Sequence, residues 1–198
     1  DYGNISKIVG LVLKISCLVA ICFSIGSILF PNVIMRFFTN DAKLARMGCE
    51  YLRNVGISYI LSAMAQVYLT LMKNCDAVNL STLISSTMVV LNIFLNAVFI
   101  FGLFGFPALK IQGAALATVT ATAVQTLWSV VYVHLKMKQV RIHLRERHRN
   151  LSKRFWEKVT PVLLNELIWG GGFTMYSVIM GHLGADAVAA NSIANISK

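Results

Sequence analysis

Glu166 is the residue whose type and setting most invite chemistry. It stands inside the run Val159–Gly181, where no other side chain is charged. It lies eight residues past Lys158, roughly 12 Å further along a helix that rises 1.5 Å per residue. A carboxylate held at that depth in a bilayer costs about 2.5–3.5 kcal/mol even on the lenient insertion scale. Glu is also too short to reach back to the headgroups. It must therefore face protein, a cavity or a cation, or carry a proton. Two roles fit: coupling or substrate contact, or a structural carboxyl protonated and hydrogen-bonded between helices. Asn165 precedes it, Trp169 follows nearly one turn on, and Pro161 stands just over one turn before, where it can start or kink a helix.

Uncharged polar residues at similar depth form a second group. Asn92 and Asn96 are four apart and share a helix face. Gln66 and Gln125 also sit well inside apolar runs. Amides in such places commonly join helices, at about 0.6–2 kcal/mol each; Asn92 and Asn96 are the pair best suited to line a pathway. Tyr59 and Tyr68 offer ring faces to an organic cation, or simply pack.

Other chemistry finds little support. Cys17, Cys22, Cys49 and Cys75 form no CxxC pair and have no His at zinc spacing. No GxSxG elbow is present. Gly170-Gly171-Gly172 follows no strand, so it reads as helix packing and not as a phosphate loop. Gly113, Ala117 and Ala121 show the same small-residue device, spaced about one helical turn apart. His134 and His182 fall at the ends of apolar runs, where an interfacial position is the default.

The elements that must position these residues follow from composition. The 198 residues are 57% hydrophobic and 13% charged, against about 25% charged in a soluble domain, and mean hydropathy is +0.68. Five runs reach the roughly 20 apolar residues a crossing needs: about Ile8 to Met35, Asn54 to Met72, Leu80 to Phe106, Gly113 to Leu135 and Val159 to Gly181. A sixth opens near Ala187. Runs of this length without alternation predict an all-α, polytopic transmembrane helix bundle with five complete spans and the start of another. The chain starts at Asp1 in mid-pattern, which suggests a piece of a longer protein.

Twelve of the 18 basic residues then fall on one side, among them Lys7, Lys14, Lys73 and the run Lys136, Lys138, Arg141, Arg145, Arg147, Arg149, Lys153, Arg154 and Lys158. Arg36, Lys43, Arg46, Arg53 and Lys110 fall on the other. The positive-inside rule places Asp1 and the Lys136–Lys158 loop in the cytoplasm. That loop, with His143 and His148, could be read as a nucleic-acid arm. It presents no groove-reading module and suits anionic headgroups better, with Val140, Leu144 and Leu151 toward lipid and Phe155–Trp156 as an anchor.

Four stretches resemble the multidrug and toxic compound extrusion (MATE) family: LFPNVIMRFFTNDAKLARMGCEYLR, LMKNCDAVNLSTLISSTMVVLNIFLNAVFIFG, FPALKIQGAALATVTA and PVLLNELIWGGGFTMYSVIMGHLGADAVAANSIA. The resemblance implies a two-lobe, twelve-helix transporter of alternating access. This chain would supply helices three to seven and the start of eight, truncated from the remainder. Residues 1–138 would close the first lobe, 139–156 would be the cytoplasmic connector, and 157–198 would open the second lobe. It implies a plasma (inner) membrane antiporter, not an enzyme, that exports organic cations or drugs against sodium or protons without a bound cofactor or metal. Glu166 would be the coupling carboxylate, with Asn165, Trp169, Asn92, Asn96, Gln66 and Tyr68 as substrate-pathway candidates. A lipid-linked oligosaccharide flippase of related fold and a non-transporting scaffold are the alternatives. One departure is the turn Asn74-Cys75-Asp76-Ala77, with Leu80 after it, where the family usually carries Gly and Pro.

Overall fold

In the computed structural model, backbone is described for residues 2–137 and 149–196 and side chains for 5–137 and 152–194. Lys138, Val140, Arg141, His143, Leu144, Arg145, Arg147, His148 and the side chain of Leu151 lie outside the described residues.

The described chain is helical: α1 Tyr2–Leu29, α2 Pro31–Phe38, α3 Ala42–Asn74, α4 Val78–Phe101, α5 Lys110–Lys136, α6 Arg149–His182 and α7 Ala185–Ile196, with a short 3-10 turn at Leu103–Gly105. Among the described residues, five helices are long and apolar enough to cross a membrane: Ile5–Leu29, Ala42–Asn74, Val78–Phe101, Lys110–Lys136 and Ser152–His182. This is a multi-pass membrane fold. In hydrocarbon every backbone polar group must be satisfied within the chain, and a helix does this locally.

Helix ends depart from the hydropathy reading for backbone reasons. The first crossing does not run to Met35. A residue before proline is pushed out of the helical region; Phe30 has φ −121°, and Pro31 opens a separate helix that takes in Ile34 and Met35. The third crossing stops at Phe101, not Phe106. Gly102 adopts φ +71° and returns its N–H to Val98 O at 2.9 Å. The second and fifth crossings are longer than the apolar runs. Polar first turns continue the same helices, and α6 runs through Pro161.

The chain forms two compact units. The first holds Asp1–Leu29 and Glu50–Glu146. Its core gathers Leu13 of α1, Tyr68, Leu71 and Met72 of α3, Ile84 of α4 and Val133 of α5. Hydroxyls join these helices. Ser81 donates to Leu69 O at 3.3 Å, and Thr126 donates to Leu61 O at 2.9 Å while also reaching Thr122 O at 2.8 Å. Gly113, Ala117 and Ala121 are all buried on α5, and Gly113 meets α4 at Phe99. A Cβ on Gly113 would stand 2.5 Å from Phe99 O, so only glycine permits this approach. Packing at that site follows the sequence expectation.

The α3–α4 turn explains the departure at Asn74–Ala77. Ala77 N–H bonds Met72 O at 2.9 Å, closing a Schellman turn with Asp76 at φ +61°. Aspartate tolerates the left-handed region better than most residues, so it stands where glycine would serve.

The second unit holds Phe30–Cys49 and Arg147–Lys198. Asp41 caps α3, its carboxylate accepting from Lys43 N–H at 2.7 Å and Leu44 N–H at 3.2 Å. Thr39 donates to Gly181 O at 3.2 Å, tying the end of α2 to the end of α6. Tyr176 donates to Asn191 at 2.8 Å and joins α6 to α7.

Candidate functional site

Within the first unit, α1 and α3 leave a groove of about 980 Å³. One wall is apolar and comes from α1: Ile8, Val12, Ile15, Val19 and Phe23. Beside the apolar Ala63, Val67 and Leu71, the facing wall on α3 carries a polar line, Tyr59, Ser62, Gln66, Thr70 and Asn74. Those residues recur every three or four positions, which draws one line along a helix. No charged side chain lines the groove. The arrangement suits an amphiphilic organic molecule: apolar contact on one side, neutral donors and acceptors on the other, and aromatic faces at Phe23 and Tyr59 for a cation.

Gln66 therefore lines the groove. Tyr68 does not join it. Two positions further round the helix it turns into the core, where it is 5% exposed with its ring centroid 5.9 Å from that of His134. Ser62, Thr70 and Asn74 belong to the groove and were not singled out from sequence; their 3.6-residue period was the available signal.

Asn92 and Asn96 form a relay between α4 and α5. Asn96 Nδ2 donates to Asn92 Oδ1 at 3.0 Å, Asn92 Nδ2 stands 3.5 Å from Thr118 Oγ1, and Thr118 donates to Ala114 O at 3.0 Å. Each amide hydrogen in this chain points one way, and the relay ends on a backbone carbonyl. This is the interhelical joint expected of membrane amides, and neither Asn lines the groove. Gln125 is buried on α5 beside Thr122 and Thr126.

Glu166 belongs to the second unit, midway along the Ser152–His182 crossing. Fourteen residues separate it from Ser152, but Lys153, Arg154, Glu157 and Lys158 occupy the first turns of that helix, so Lys158 remains the polar end from which its depth is counted. Glu166 and Asn165 are both exposed. Trp169 is 70% exposed and stacks on Phe173, with centroids 6.1 Å apart and planes 12° from parallel. Among the described residues no hydrogen bond or ion pair reaches Glu166. Gly170, Gly171 and Gly172 were expected to pack against another helix; among the described residues no other helix comes within 4 Å of where their Cβ atoms would stand. The carboxylate, Asn165 and Trp169 are thus held together on α6, while the asparagine pair and Gln66 belong to the other unit.

His134 and His182 each place Nδ1 2.9 Å from a carbonyl one turn back, Val130 O and Val178 O. Both finish a helix, where such contacts are favoured.

The MatE family profile matches residues 1–98. Among curated proteins, the "Probable multidrug resistance protein NorM" of Listeria innocua is 26% identical over 92% of this chain and 41% of its own length. The "Probable multidrug resistance protein YoeA" of Bacillus subtilis is 26% identical over 97% of this chain and 42% of its own. The NorM protein of Thermotoga maritima is 25% identical over 82% of this chain and 35% of its own. The chain spans less than half the length of these relatives. No solved structure matches it.

Proposed function

The chain belongs to the MatE family of multidrug and toxic compound extrusion proteins, and from that premise we propose that it is part of a multidrug efflux transporter of the cytoplasmic (inner) membrane. It works by alternating access and is not an enzyme. Residues 1–138 complete one lobe, 139–156 connect, and 157–198 begin the second. The Asp1 end and the Lys136–Lys158 loop lie in the cytoplasm, the loop against anionic headgroups. The Thr39–Gly181 bond supports this topology. It brings the segment that follows α1 to the end of α6, and a five-crossing chain puts those two ends on the same face.

Glu166 carries the reading. It is the one acid midway along a crossing among the described residues, and the described chain gives it no partner. A carboxylate so placed binds sodium or a proton in one state and releases it in the other, and exchange against an organic cation drives export. Asn165 and Trp169 would contact the same substrate or ion, and Gln66 and Tyr59 would line its path in the other lobe. The uncharged lining of the α1–α3 groove favours a drug-like cation over a lipid-linked oligosaccharide.

The test is Glu166→Gln in the intact transporter. The amide keeps the shape and removes the titratable charge, so efflux from loaded cells should be lost while the protein still reaches the membrane. Efflux equal to the parent's would remove Glu166 from coupling.

A further inference from the structure

We propose that α2 (Pro31–Phe38) lies flat in the bilayer interface and docks on phospholipid, with Phe30, Val33 and Phe37 in the acyl boundary and Arg36 among the phosphates.

Three observations carry this. The first is depth. The α1 crossing is 25 residues long, about 37 Å at 1.5 Å per residue against a hydrocarbon core of about 30 Å. By Leu29 the chain has therefore reached the headgroups, and Pro31 turns it at that level. In its own unit, α2 ends one hydrogen bond from Gly181, next to the last residue of α6, and three residues before the capped start of α3. The ends of two crossings thus bracket it at the surface of the membrane.

The second is the division of its faces. Pro31 is buried, and Ile34, Met35 and Phe38 are partly buried, all within about 100° of one another around the helix. Asn32 accepts from the Cys49 thiol at 3.1 Å, which fixes the roll of the helix. Held so, α2 leaves Val33 67% and Phe37 54% exposed, about 40° apart around the helix, with Phe30 58% exposed just before its first residue. Large apolar side chains bared at headgroup depth suit lipid; in water they would be a liability.

The third is charge. Arg36 borders the apolar strip on its polar side and is exposed, and among the described residues no carboxylate pairs with it. A guanidinium there meets phosphate oxygens in a bidentate geometry.

The experiment places a tryptophan on the strip, as Phe37→Trp and separately as Val33→Trp, in the intact transporter reconstituted in phosphatidylcholine vesicles. Fluorescence is read as a difference from the parent. Lipid brominated near the headgroup should quench the added tryptophan about twofold more than lipid brominated near the methyl end, as expected for a helix about 5–10 Å into the boundary. Equal absence of quenching by both lipids would mean that water or protein covers the strip, and would overturn the proposal. Stronger quenching by the deep label would overturn it too, because α2 would then be buried in the core of the bilayer. Two positions on one face guard against a single variant that fails to fold.

Discussion

Replacing Gly113 by alanine sets two effects of opposite sign against each other. In an open helix the change is favourable by about 0.8–1 kcal/mol, because alanine is the better helix former. Here the new Cβ would stand 2.5 Å from Phe99 O, 2.7 Å from Phe99 C and 3.0 Å from Phe99 Cβ. Two of those atoms are backbone and cannot swing aside, and comfortable contact is about 3.5 Å. The α4–α5 crossing must open by about 1 Å. Overpacking of this kind costs about 1–3 kcal/mol. The Asn92–Thr118 contact, already 3.5 Å, would then be lost, removing about 0.6 kcal/mol more. The net cost is about 2–4 kcal/mol before the propensity gain and about 1–3 kcal/mol after it. For a unit of about 150–250 residues that lowers the unfolding midpoint by roughly 2–12 °C. The assay is loss of the folded peak in detergent size-exclusion chromatography after heating. Gly26→Ala is the control, because among the described residues no other helix comes within 4 Å of its Cβ position. A Gly113→Ala midpoint equal to or above that of Gly26→Ala would refute the argument that close backbone approach dictates this glycine.

Three further outcomes follow from local geometry. Asp76→Gly should raise stability by about 0.5–1 kcal/mol in the same heating assay, because glycine takes φ +61° without the Cβ penalty. Asp41→Ala should cost about 1 kcal/mol by removing both carboxylate bonds to the first turn of α3. Burial first, and the Asp76 carboxylate second, push the Cys75 thiol above its ordinary range. Its alkylation, followed by mass spectrometry of the labelled peptide, should therefore be slow at neutral pH and quicken as the pH rises into the alkaline range; Asp76→Asn, which lowers the thiol's pKa, should speed it at neutral pH.

The helices themselves were legible because hydropathy reports burial from water and little else could bury such runs. Their ends were not. Pro31 and Gly102 stop helices through backbone geometry, and an apolar average passes straight over both. That is why α2 was absorbed into the first run, although the rule for the residue before proline held the signal. Gly113-Ala117-Ala121 and Gly170-Gly171-Gly172 look alike as small-residue stretches, yet one meets Phe99 and the other meets nothing described. Spacing says that a face is thin; only coordinates say what comes to it. The same limit separates Gln66 from Tyr68, neighbours in sequence that point into a groove and into a core. Glu166 stood out in the sequence because charge is so scarce around it.

The hydroxyl groups have a consequence for how such a chain is made. Ser27, Ser85, Thr118, Thr122, Thr160, Thr174, Ser177 and Ser192 each donate to the carbonyl four residues back in their own helix. A helix carrying them enters hydrocarbon with its side-chain polarity already satisfied, before it has met another helix. Thr126 and Ser81 behave differently, since their bonds to Leu61 O and Leu69 O exist only after assembly. Biogenesis can therefore proceed in two stages: insertion helix by helix at little polar cost, then lateral docking in which Thr126, still held by Thr122 O, gains a second acceptor on its neighbour.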